Sequence, residues 1–156
     1  MIKRSIGNTI EDISRHFRVV LLTGMRQVGK TTVLRNLCGD SRTYVTLDNL
    51  ADLQLAKTDP VLFFQTYKTP ILIDEIQYAP ELFRQIKMIV DNSDEKGLVW
   101  MTGSQQFEMM RNVQESLAGR AVVLDLLGLS LRELYEKSGD SVPFVPSMDC
   151  LSSGPA

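Results

Sequence analysis

Residues 24–31 read Gly24-Met25-Arg26-Gln27-Val28-Gly29-Lys30-Thr31, an eight-residue loop of the form G-x-x-x-x-G-K-[ST] set between an apolar run and a helical stretch. No other feature constrains the fold as strongly. Val19, Val20, Leu21 and Leu22 suit a buried strand, after which the chain must turn so that successive N–H groups converge on phosphate oxygens. Gly24 and Gly29 remove the Cβ atoms that would obstruct this approach. Lys30 is then placed to reach β and γ phosphates, and the Thr31 hydroxyl to ligate Mg²⁺. A helix over 30–38 would point its positive N-terminus at a triphosphate. The motif thus predicts a nucleotide contact running from Gly24 through Met25, Arg26, Gln27, Val28, Gly29, Lys30 and Thr31 to Thr32. The competing reading is a glycine-containing surface turn, which the strand before and the helix after disfavour.

The rest of the chain alternates strands with helices. Asn8 followed by Glu11 resembles a cap for a first helix carrying Ile10, Ile13 and Phe17 at helical spacing. Strands are expected at 19–23, 43–47, 70–73, 98–101 and around 122–124. Asp59-Pro60 reads as an N-cap with proline at the first helical position, Pro80-Glu81 as the start of another helix, and Ser130 to Glu133 as a capping box. Strands separated by helices imply an α/β fold with a mostly parallel sheet covered on both faces. From Ser138 onward the composition turns to Ser, Gly and Pro, so 138–156 reads as a flexible tail or truncated linker after a domain over 1–137.

In such a sheet ligands bind beyond the carboxyl ends of the strands. The third strand ends in Asp74-Glu75 and the fourth in Thr102-Gly103-Ser104. An acidic residue at a buried strand tip can hold a metal-bound water, and the adjacent glutamate can polarise an attacking water. A solvated strand-to-helix turn is the alternative; the position about 40 residues after a phosphate loop, within an α/β alternation, weighs against it.

A chain of 156 residues with 44% hydrophobic content can bury on the order of 70% of the surface its unfolded form exposes, enough for one α/β domain. The formal net charge is −2 with both signs interspersed, so charge gives no support to a nucleic-acid or anionic-membrane partner. Cys38 and Cys150 lack metal-ligand spacing and form no disulfide framework, which points to a reducing cytoplasm. No apolar run approaches the roughly 20 residues needed to span a bilayer.

Leu22 to Thr32, Tyr44-Val45-Thr46-Leu47-Asp48, Ile73-Asp74-Glu75-Ile76-Gln77 with Pro80-Glu81-Leu82, Thr102-Gly103-Ser104 and Ser116-Leu117-Ala118-Gly119-Arg120 occur in that order. Together they resemble the AAA-type ATP-binding domain of prokaryotic proteins that usually continue into a C-terminal domain of unknown function. The resemblance covers about residues 10–135 and implies a three-layer P-loop NTPase sandwich with strand order 5-1-4-3-2. It further implies that this chain holds the ATPase part alone, as a truncated product or fragment. Ser104 would sit near the γ-phosphate as a sensor, with Thr102 the alternative, and Arg120 would be a sensor or trans-acting arginine, with a solvated residue leading into strand five the competing reading. The resulting expectation is Mg-dependent ATP binding and hydrolysis: Lys30 and the loop on the phosphates, Thr31 and Asp74 on the metal, Glu75 on the water. Partners beyond ATP would be further copies of the chain or another protein. A non-hydrolytic nucleotide switch and a small-molecule phosphotransferase stay open as alternatives.

The remaining conspicuous residues have plainer readings. Arg26 either touches phosphate or a neighbouring subunit, or is a solvated loop side chain. His16 suits a helix end, Trp100 the core, and Met109 and Met110 ordinary helix packing or an adaptable contact surface.

Overall fold

The computed structural model describes residue 2, residues 4–104 and residues 107–135. The tail over 138–156, Cys150 and the side chain of Met109 lie outside the described residues.

Five strands form one sheet: β1 (Val19–Thr23), β2 (Thr43–Thr46), β3 (Ile71–Asp74), β4 (Val99–Thr102) and β5 (Ala121–Asp125). Their order is β2-β3-β4-β1-β5 and every pairing is parallel, as the resemblance implied. Val19 pairs with Val99 on one side and Ala121 on the other, so β1 is central and both its faces need cover. All five β1 residues are buried, and the strand is accordingly apolar throughout rather than alternating.

Alternate β1 residues enter two separate cores. Val20 and Leu22 join Leu72 and Trp100 beneath α1 (Ile6–His16) and α2 (Lys30–Cys38), which contribute Ile10, Val33 and Leu34. Val19 and Leu21 join Ile71, Ile73, Val99 and Met101 on the opposite face. That face is covered by α3 (Leu50–Thr58), α4 (Pro60–Thr66), α5 (Leu82–Asp91) and α6 (Phe107–Leu117). Phe63, Phe83, Ile86 and Leu117 are its main anchors, and Met110 packs there as ordinary helix packing requires. α5 presents Leu82, Phe83, Ile86 and Val90 as a single buried stripe.

Several boundaries differ from expectation for physical reasons. α1 begins one turn before Asn8, behind Ser5, whose backbone N–H is held by the Glu133 carboxylate at 2.8 Å rather than by a local side-chain cap. α3 has no counterpart in the sequence reading. Only Ala56 of its residues is buried, so no apolar stripe marks it, and its start is fixed by Asn49, whose side chain accepts from Ala51 and Asp52. β3 and β4 each run one residue further than expected, carrying Asp74 and Thr102 into the sheet. Asp59 and Pro60 open α4 as expected, and the Ser130–Glu133 capping box opens α7 (Leu131–Leu134). Trp100 is core and His16 a helix-end residue whose Nδ1 meets the Asp12 carbonyl at 2.8 Å. Cys38 is buried, and burial raises its thiol pKa. No helix among the described residues is long and apolar enough to cross a membrane.

Candidate nucleotide site

Because all strands run the same way, every loop that follows a strand opens at one edge of the sheet. The phosphate loop after β1, the acidic pair after β3 and Thr102-Gly103-Ser104 after β4 therefore converge, with β4 lying between the other two. Gly24 has φ 144° and a Cβ there would lie 2.5 Å from the Leu126 carbonyl oxygen, so glycine is required for the loop to leave β1 beneath the exit of β5. Gly29, at φ 94°, faces open space instead. Gln27, at φ 62°, adds a second left-handed residue, and such reversals turn main-chain N–H groups into an anion-binding concavity.

Lys30 is the first residue of α2 and only 5% exposed. Its ammonium donates to the carbonyls of Gly24 at 3.0 Å and Met25 at 2.9 Å, arching back over the loop that it closes. Asp74, 6% exposed, stands at the tip of β3. Its carboxylate accepts from the Thr31 hydroxyl at 2.7 Å, from the Thr102 hydroxyl, and from the Tyr44 phenol at 3.3 Å. Burial raises the Tyr44 pKa and the neighbouring Asp74 charge adds to that, so the phenol stays protonated and donating. The Thr102 oxygen in turn accepts from the Glu75 N–H at 3.0 Å.

Glu75 adopts φ 59° and ψ 47°, a left-handed conformation that a residue with a Cβ takes at a cost of order 1–3 kcal/mol. Its carboxylate accepts from the Gln77 side-chain amide. Glu75 shares a cleft of about 250 Å³ with Gln27, Gly29, Lys30, Thr31 and Thr32. A larger cleft of about 600 Å³, between α1 and α2, has Gly29 and Thr32 in common with it and extends to Asn8, Glu11 and Asn36. The Ser104 hydroxyl is buried and has no hydrogen-bond partner among the described residues. Arg26, rather than projecting freely, donates to the Tyr78 hydroxyl at 3.2 Å.

Arg120 is the exception among the expected site residues. It precedes β5, and in a parallel sheet the residue before a strand lies at the edge opposite the residues after strands. Its carbonyl accepts from Val19 N–H at the start of β1, and its guanidinium makes a two-pronged pair with Asp91 and a bond to the Ala118 carbonyl. Arg120 thus lies at the edge of the sheet opposite the residues that follow β1, β3 and β4. Tyr44, Gln77 and Tyr78 were not foreseen. Of these only Gln77 had a local signal, a polar side chain two residues beyond the candidate base.

Residues 16–135 match the profile of the AAA domain family, over three quarters of the chain. The chain belongs to that AAA family. Among curated proteins this AAA chain is 36% identical over 123 residues to the uncharacterized protein Rv2008c of Mycobacterium tuberculosis and, at the same level, to the uncharacterized protein Mb2031c of Mycobacterium bovis. The match takes in 78% of this chain and only 28% of each relative's length. A solved structure, a Pif1 helicase from Bacteroides in complex with ADP-AlF3 and ssDNA, covers 83% of the chain and 43% of its own at 15% identity. Its TM-score to this chain is 0.45.

Proposed function

We propose that this AAA domain binds Mg-ATP at the carboxyl edge of its sheet and hydrolyses it to ADP and phosphate. The observation that supports this best is the 2.7 Å bond between the Thr31 hydroxyl and the Asp74 carboxylate, which joins the phosphate loop to the acidic strand tip and leaves Glu75 lining the same cleft. The residues present fit a magnesium nucleotide. Thr31 and Asp74 are hard oxygen donors, and among the described residues no cluster of three His, Cys, Asp or Glu side chains forms a self-sufficient metal site. Mg²⁺ keeps waters and takes one or two protein ligands plus substrate phosphates, so this pair suits a metal that arrives with the triphosphate. When bound, it would neutralise charge developing on the β and γ oxygens.

The remaining roles fall to the chain itself. Lys30 exchanges its two loop carbonyls for phosphate oxygens, Ser104 offers its unpartnered hydroxyl to the γ-phosphate, and Glu75 accepts a proton from the attacking water. The larger cleft beside Gly29 and Thr32 takes the base and ribose. Arg120, paired to Asp91 in its own chain, is left with a role only toward a second copy or another protein. A cytoplasmic setting suits the unpaired Cys38.

Two substitutions measured side by side test the assignment. Glu75→Gln should keep ATP affinity while single-turnover hydrolysis falls roughly 10²–10⁴-fold, the scale of losing a general base. Asp74→Asn should lower Mg-dependent affinity as well as turnover. Equal behaviour of the two, or wild-type protein without turnover above background, would overturn hydrolysis in favour of a binding module.

A further inference from the structure

Gln77 occupies the middle of a three-residue 3-10 turn, Ile76–Tyr78, directly after the left-handed Glu75. Its side-chain amide has two heads and both are engaged. The nitrogen donates to the Glu75 carboxylate, and the oxygen accepts from the Ser104 main-chain N–H at 3.3 Å. Chemistry fixes which head is which, because a carboxylate only accepts and a main-chain N–H only donates. A planar amide offers an uncharged donor and an acceptor on two separate atoms of one carbon. Glutamate would set a second negative charge against Glu75, leucine would satisfy neither partner, and asparagine is one methylene shorter.

The connection spans two strands. Glu75 leaves β3 and Ser104 leaves β4, and 27 residues separate Gln77 from Ser104 in sequence. The Ser104 hydroxyl beside that N–H is buried and has no hydrogen-bond partner among the described residues, so the same residue carries one unused donor and one given to Gln77. Glu75 gains no other side-chain partner among the described bonds, which leaves Gln77 as the group that sets the carboxylate's direction.

We propose that Gln77 is a positioning residue of the hydrolytic reaction: it aims the Glu75 carboxylate and ties that aim to the main chain at Ser104. The proposal rests on the reading of Glu75 as the base. Whatever ligand engages the Ser104 hydroxyl then acts, through one amide, on the orientation of the group that activates water. This makes the response of Glu75 to the γ-phosphate a property of the Ser104–Gln77–Glu75 chain rather than of direct contact.

The test compares the full chain with Gln77→Leu, Gln77→Glu, Glu75→Gln and the double variant Gln77→Leu/Glu75→Gln. Steady-state hydrolysis, equilibrium binding of a fluorescent ATP analogue and melting temperature are read for each. The expected result is a kcat lowered roughly 10–100-fold in both Gln77 variants, the scale of misplacing a reacting group by about 1 Å, with KM and analogue affinity within about twofold of wild type. The double variant should be no slower than Glu75→Gln alone, because positioning a base that is absent gains nothing. Gln77→Glu keeps volume and the Ser104 acceptor, so it reports even if the leucine variant fails to fold. Wild-type kcat in either Gln77 variant, or a further loss in the double variant, overturns the positioning role while leaving the Glu75 assignment intact. Full activity in Glu75→Gln, or none in wild type, overturns the base assignment and the positioning role together.

Discussion

At the carboxyl edge of the sheet, Gln27 and Glu75 hold left-handed backbone despite carrying side chains, and the Ser104 hydroxyl is buried without a partner among the described residues. At the amino edge the left-handed turn at φ 64° is given to a glycine, Gly97, whose N–H bonds the Phe17 carbonyl at 2.8 Å. There the Trp100 indole donates to Ser14 at 2.8 Å, Arg42 lies 4.0 Å over the Trp100 ring and donates to the Gly97 carbonyl, and Arg120 grips Asp91. Burial lowers the Arg42 pKa to about 10, which still leaves it cationic at neutral pH. Arg18 Nε is the buried group left over at that edge. One edge holds left-handed backbone on two residues whose side chains line a cleft; the other gives its left-handed turn to a glycine and, Arg18 Nε excepted, spends its polar groups on each other. The difference separates a surface organised to receive a ligand from one organised to close the fold.

The largest effect that would break this contrast is Lys30→Ala. Losing a buried, charge-assisted donor to phosphate should weaken Mg-ATP about 10–100-fold, on the scale of 1.5–3 kcal/mol for a hydrogen bond to a charged group, as read by equilibrium titration. The melting temperature without nucleotide should move by only a few degrees. A collapse of stability instead would show that Lys30 serves the loop's own carbonyls first, and the carboxyl edge would then resemble the amino one.

Gly97→Ala probes the other side. An added Cβ would sit 2.4 Å from Ser14 Oγ and 2.9 Å from its carbonyl, at a φ that disfavours alanine. Strain of about 2 kcal/mol lowers the melting temperature of a domain this size by roughly 4–8 °C. Nucleotide affinity of the folded fraction should be unchanged; a parallel loss of affinity would mean the two edges are coupled through β4.

The smallest effect concerns Glu133, a fully partnered carboxylate near the loop. Burial would raise its pKa, yet the Ser130 and Ser5 N–H groups and Arg4 outweigh that and hold it down to about 2. A folded pKa below the ordinary 4.5 means stability that is complete above about pH 4.5 and lost as pH falls toward 2. Thermal melts across that window should show a one-proton slope that Glu133→Gln removes. An unchanged slope would show that other carboxylates govern acid unfolding.

What the sequence disclosed follows the same division. The phosphate loop, Asp74-Glu75 and the Ser130 cap are local chemistry written in adjacent residues, and the structure assembles each where the alternation of strands and helices places it. Strand order came from family resemblance, since nothing in the residues themselves ranks five apolar strands. Tyr44 and Gln77 stand in the motifs without a legible contact, because their partners, Asp74 and Ser104, lie 30 and 27 residues away and become neighbours only once β2, β3 and β4 align. For Arg120 the direction of a parallel strand alone assigns the residue before β5 to the far edge.

Arg4 ties together segments that the sheet does not. Its guanidinium donates to the Val28 carbonyl in the phosphate loop at 3.0 Å, to the Leu127 carbonyl beyond β5 at 2.6 Å, and to Glu133 in α7 at 3.1 Å. These bonds form a guy-line running from the last described helix to the loop, anchored on the way to the chain just ahead of α1. One side chain thus joins α7 to the loop after β1 along a route that does not pass through the strands. The loop is moored to the periphery of the domain as well as to the sheet.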